Sequence, residues 1–119
     1  MLSLEEFYAS VDASADEIIG RLGGNASLVE RFLGKFPADT SMDLLATSLS
    51  DADTDTAFRA AHTLKGLCAN LGIESLFTKA SEVTEMLRAS ELDDAQAAFP
   101  ALKSEYERVL GLLKEMGIK

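Results

Sequence analysis

Thr54-Asp55-Thr56-Ala57-Phe58-Arg59-Ala60-Ala61-His62-Thr63-Leu64-Lys65-Gly66-Leu67-Cys68-Ala69-Asn70-Leu71-Gly72 is the stretch that decides both the fold class and the candidate chemistry. Taken at about 100° per residue, Ala57, Ala60, Ala61, Leu64, Leu67, Cys68 and Leu71 share one side of a helix and form its buried face. His62, the chain's single histidine, falls roughly opposite the middle of that face and is predicted to point to solvent. Gly72 supplies the terminator, because glycine tolerates the left-handed conformation that closes a helix.

The same periodicity continues on both sides. Downstream, Ile73, Leu76, Phe77, Ala80, Val83 and Leu87 recur at spacings of three and four. Phe99, Leu102, Tyr106, Val109, Leu113 and Met116 do so again in a last helix that Asp93 or Asp94 is expected to start. Pro100 within it should kink the helix or delay its regular start, since proline donates no backbone hydrogen bond. Upstream, Met42, Leu45 and Leu49 mark a helix followed by the polar turn Ser50-Asp51-Ala52-Asp53. Before it, Leu28, Val29, Phe32 and Phe36 lie on one face of a segment that Asn25 caps and Pro37 stops.

At the N-terminus, Ser3 and Glu6 read as a capping box opening a helix with Leu4, Phe7, Tyr8 and Val11. A break near Asp12 to Ser14 separates it from a short piece carrying Ile18, Ile19 and Leu22, which Gly23-Gly24 ends. No segment alternates with the period of two that a strand requires. Short loops between successive amphipathic helices make neighbours antiparallel. The expected fold is therefore all-α: an up-and-down antiparallel four-helix bundle with an additional N-terminal helix. Residues 1–119 are expected to form one unit, with 1–24 an N-terminal helical segment and 25–119 the helical bundle.

Composition narrows the function. The chain has 119 residues, 47% hydrophobic and 26% charged, a globular balance. Its formal net charge of −9 argues against nucleic acid as a partner and favours basic or apolar docking surfaces. The opening MLSLEEFYAS lacks a basic region followed by an apolar one, and no apolar run is long enough for a bilayer, so neither a secretory signal nor a membrane anchor is expected. One cysteine, Cys68, cannot form an internal disulfide, which fits a cytoplasmic setting. Met1 favours a free-standing protein over a segment cut from a longer one.

The chemistry centres on His62. Its neighbours on the helix surface, three and four residues away, are Phe58, Arg59, Lys65 and Gly66. Helical side chains lean toward the N-terminus, so Lys65 reaches back toward the imidazole, where its ammonium suits a phosphoryl dianion. Gly66 costs about 1 kcal/mol relative to alanine in a helix interior. Clearance for a phosphoryl group, or close approach of another protein, supplies a reason for it, and Ala69 keeps the same surface open. Phe58 is either covered by the N-terminal helix or left partly exposed as an apolar docking patch. Lys35 and Lys79 could join a basic rim, but only through a tertiary arrangement; ordinary solvated lysines are the simpler reading.

The run Ala61-His62-Thr63-Leu64-Lys65-Gly66, continuing through Ala69-Asn70-Leu71-Gly72, resembles the signature of histidine-containing phosphotransfer (HPt) domains. The similarity extends upstream to Leu22-Gly23-Gly24, Leu28 and Phe32-Leu33, and downstream through Leu76 and Leu87. The resemblance implies that His62 exchanges a phosphoryl group with an aspartate of a response-regulator receiver domain, alone or within a hybrid sensor kinase. Lys65 would assist electrostatically and Gly66 would permit access. It also implies a four-helix bundle. Leu67 departs from the pattern, standing where many relatives have a small or hydroxyl-bearing residue; on the wheel it faces the core.

No second histidine, glycine-rich phosphate loop or general base stands at fixed spacing from His62. A phosphocarrier is expected rather than an enzyme, with no cofactor or metal of its own and a monomeric state; the receiver would bring the metal ion and carboxylates. Two bland alternatives stand beside it. One is an inert surface histidine. The other is a non-phosphorylated helical adaptor that uses the Phe58 side only for binding.

Overall fold

The computed structural model describes residues 1–118, and among these there are seven α-helices and no strand. Four of them form the bundle: α4 (Ser41–Ser50), α5 (Thr54–Leu71), α6 (Glu74–Arg88) and α7 (Leu92–Glu115). Links of two or three residues separate them, too short for anything but antiparallel neighbours. α4 packs on α5, α5 on α6, α6 on α7, and α7 closes the ring against α4. The Gln96 side chain of α7 reinforces that closure by donating to the Leu49 carbonyl at 2.8 Å.

Three short helices precede the ring: α1 (Leu4–Ser10), α2 (Ala15–Arg21) and α3 (Ala26–Leu33), followed by a 3₁₀ turn at Phe36–Ala38. The additional N-terminal helix anticipated from the pattern is thus several short ones. The Ser3–Glu6 capping box is formed in both directions, and the Asn25 side chain accepts from the Leu28 amide. Asp12 adopts a positive φ of 63° where α1 breaks from α2.

These short helices cap the end of the bundle at which α5 turns into α6. Tyr8 is fully buried, and its hydroxyl donates to the Leu71 carbonyl at 2.6 Å. The Ser75 amide of α6 donates to the Val11 carbonyl. Arg108 of α7 donates to the Ser10 carbonyl at 2.8 Å. The Leu2 amide donates to the Glu115 carbonyl at 2.9 Å, joining the first turn of the chain to the end of α7. One continuous core results, running from Leu4, Phe7, Tyr8 and Ile18 through Leu45, Leu64, Leu76 and Leu102 to Leu113.

Two expectations need correction. α7 starts at Leu92 with Glu91 as its N-cap, one or two residues before the anticipated aspartates. The cause lies in the preceding turn: Ser90 takes a positive φ of 59°, and the Glu91 amide returns to the Met86 carbonyl, so α6 closes early. Asp93 and Asp94 occupy the first turn, where their charge suits the helix dipole. Of the two effects expected of Pro100, a kink or a delayed start, the delayed start does not occur. The helix runs through it, with Pro100 on the exposed face where the carbonyl it leaves unpaired meets water. No helix among the described residues is long and apolar enough to cross a membrane.

Candidate functional site

The site is carried by α5, and the sequence anchors this helix at both ends. At its start, the Asp53 side chain accepts from the Thr56 amide at 3.2 Å, and hydrogen bonding from the Thr56 side chain, then from this amide, holds the carboxyl below its ordinary range. At its end, Gly72 sits at a φ of 73°. The Ile73 amide returns to the Cys68 carbonyl, and Tyr8 takes the Leu71 carbonyl. Arg21 reaches the Ala69 carbonyl at 3.4 Å. A helix tied at both ends is a rigid platform for whatever its middle displays.

The buried face is the one expected. Ala57, Ala60, Ala61, Leu64, Cys68 and Leu71 are buried. Burial pushes the Cys68 thiol up to about 12, so it is a core residue rather than a nucleophile. Leu67 is the exception. It is half-buried and lines a groove with Arg21, Leu22, Phe32, Lys35, Asn70 and Leu71. On the wheel it lies at the edge of the apolar arc, and α3 packs along that edge.

His62 is exposed at mid-helix, and Arg59 and Gly66 are exposed with it. A Cβ built at Gly66 would meet nothing of the chain beyond its own helix within 4 Å. The fold itself therefore does not require glycine there. Ala69 is half-buried, a turn further along the same stripe. Lys65 is also half-buried; it falls within about 20° of Phe58 on the wheel, on the flank facing α6, as suits a long side chain that covers apolar surface with its methylene stem.

Phe58 lies under the C-terminal end of α6 and not under the N-terminal helices, which pack at the opposite end of α5. It remains partly exposed. Its ring centroid is 5.9 Å from that of His62, with the planes inclined by 35°. The Arg88 guanidinium sits over the same ring, 4.9 Å from its centroid. Phe58, Arg59, Leu87, Arg88 and Ser90, with Thr54 and Asp55, line an open cleft of ≈ 500 Å³ between the start of α5 and the end of α6. Arg88 is the residue sequence reasoning missed, because only the antiparallel packing of α6 brings it to the start of α5.

The two lysines considered for a basic rim lie elsewhere. Lys35 stands over the Phe32 ring at 5.8 Å and lines the groove on the other flank of α5. The Glu105 carboxyl of α7 is held below its ordinary range by hydrogen bonds from Arg108 and then Ser75, and least by the charge of Lys79, which faces α7. Among the described residues no group of three or more His, Cys, Asp or Glu side chains is placed to hold a metal ion.

What this arrangement can do is narrow. It presents one imidazole on a rigid helix, with cations at Arg59, Lys65 and Arg88 around it, in a chain otherwise strongly acidic. The ring itself has its side-chain contact with Phe58, and an unprotonated imidazole nitrogen so displayed can act as a nucleophile. Comparison with curated proteins and with solved structures gave no match. Comparison with family models matched the Hpt domain over residues 27–111, which takes in most of α3 and all but the last turn of the bundle.

Proposed function

The chain belongs to the Hpt domain family, and from that footing we propose that it relays a phosphoryl group between His62 and an aspartate of a response-regulator receiver domain. Hpt domains are phosphocarrier modules of two-component signalling, not catalysts. The observation that carries the reading is the outward-facing imidazole at mid-helix, with Lys65 three residues on and open space over Gly66.

In the transfer, the lone pair of an unprotonated ring nitrogen attacks the phosphorus of an aspartyl phosphate. The new nitrogen–phosphorus bond forms as the bond to the carboxylate oxygen breaks, and the aspartate leaves with that electron pair. The reverse step returns the group. Lys65 and Arg59 offset the charge carried to the ring. Gly66 and Ala69 leave the approach open, and Phe58 gives the partner an apolar edge to dock on. The metal ion and carboxylates belong to the receiver, whether free or part of a hybrid sensor kinase. On this reading residues 1–119 act as one Hpt-like unit, with 1–24 as an N-terminal segment on the bundle of 25–119. The unit works as a monomer in the cytoplasm.

The test is incubation with a phosphorylated receiver domain. The wild type should acquire acid-labile, base-stable label, and His62→Gln should acquire none. Equal labelling of both would remove the carrier reading, and no labelling of either would leave the helical adaptor.

A further inference from the structure

We propose that Arg88, acting through Phe58, is a positioning residue for the His62 imidazole. The proposal rests on the carrier reading for its consequence, but the contact itself stands on the geometry.

An exposed histidine on a helix has little to hold its ring. Here the ring leans toward the helix N-terminus, as helical side chains do, and one turn back it meets Phe58. Phe58 can act as a stop only if its own ring is held. Partial burial, with Leu87 lining the same cleft, supplies some of that hold. The rest comes from the planar guanidinium of Arg88 lying over it at 4.9 Å, an attraction between a cation and the negative face of the ring. Arg88 is held in turn: its Nε donates to the two oxygens of Glu85 at 2.9 and 3.3 Å. The chain Glu85–Arg88–Phe58–His62 thus connects the last turn of α6 to the nucleophile on α5.

Glu85 and Arg88 stand three residues apart on an exposed turn, each more than half exposed at its side chain. Such a pair contributes little to stability. Its placement over an aromatic that touches the imidazole gives it a different consequence: fewer ring orientations to search before an in-line attack. Restricting a reacting group in this way raises the rate at saturating partner without tightening the encounter.

The experiment follows the imidazole and the transfer kinetics together. In Arg88→Ala the carbon-bound proton resonances of the His62 ring should move toward those of an unstructured histidine. The transfer rate at saturating phosphorylated receiver should fall by about three- to tenfold, with the half-saturating receiver concentration little changed. Phe58→Leu should reproduce both effects, and Phe58→Tyr, which keeps the ring, should stay within about twofold of wild type. Unchanged ring resonances in Arg88→Ala would overturn the proposal. So would an effect confined to the half-saturating concentration, which would make Arg88 a docking residue. The resonance measurement needs no phosphoryl transfer, so a wild type that fails to label defeats the carrier reading and still leaves the positioning contact decided.

Discussion

Gly66 and Gly72 stand six residues apart on one helix and answer to opposite demands. A Cβ on Gly72 would come within 2.2 Å of Cδ1 and 2.5 Å of Cγ1 of the buried Ile18, at a φ of 73° that disfavours any side chain. A Cβ on Gly66 would touch no other part of the chain. The first glycine exists because the fold closes on it. The second sits where the fold leaves room, at a cost in helix stability that nothing internal repays. The difference separates a glycine the fold requires from one it does not, and the second is where the proposed carrier role needs clearance.

Substitutions can break or sharpen that contrast. The largest effect is expected from Gly72→Ala, which combines the left-handed backbone penalty with displacement of Ile18. A loss of about 2–4 kcal/mol in denaturant unfolding is expected, and a loss below about 0.5 kcal/mol would show that the α5–α6 turn can relax. Next comes Tyr8→Phe, which leaves the buried Leu71 carbonyl without its donor; about 1–2 kcal/mol should be lost. Burial raises the Tyr8 phenol above its ordinary range. Above that ordinary value the unfolded chain sheds a proton the folded chain keeps, so stability falls as pH rises. Unfolding curves of Tyr8→Phe should show a shallower alkaline decline than wild type, and an identical decline would place the loss on other groups.

Gly66→Leu should act on transfer alone. Its thermal midpoint should not fall below wild type, because a Cβ at this position meets open space and leucine is a better helix former. Phosphoryl transfer should slow by about tenfold or more, corresponding to about 1.4 kcal/mol of barrier. Unchanged transfer would remove the clearance account of this glycine. The smallest effect is expected from Lys65→Ala, about threefold in transfer rate, since a part-exposed ammonium is screened by water. That loss should shrink further in high salt, and a salt-independent loss would point to the lysine's stem rather than its charge.

The bundle and the orientation of His62 were legible because both rest on local rules. The spacing of Ala57, Ala60, Ala61, Leu64 and Cys68 sets the buried arc, and Gly72 ends it whatever surrounds the helix. The end of α6 was less legible: the aspartates offered a start for α7, but the turn at Ser90 placed it at Glu91 and Leu92. Leu67 was read as core because a helical wheel knows only one helix, whereas α3 determines where the arc ends. The Arg88–Phe58 contact lay beyond reach for the same reason. Thirty residues separate the two, and only antiparallel packing brings them together.

The hydrogen bond from Leu2 to Glu115 has a consequence for tethering. Because it joins the two ends of the folded unit at one point, a receiver attached through a flexible linker to either end would start its search for His62 from nearly the same place. Linker length, which sets the effective concentration of a tethered partner, would then govern intramolecular transfer. Whether the receiver precedes or follows this unit along the chain would matter little.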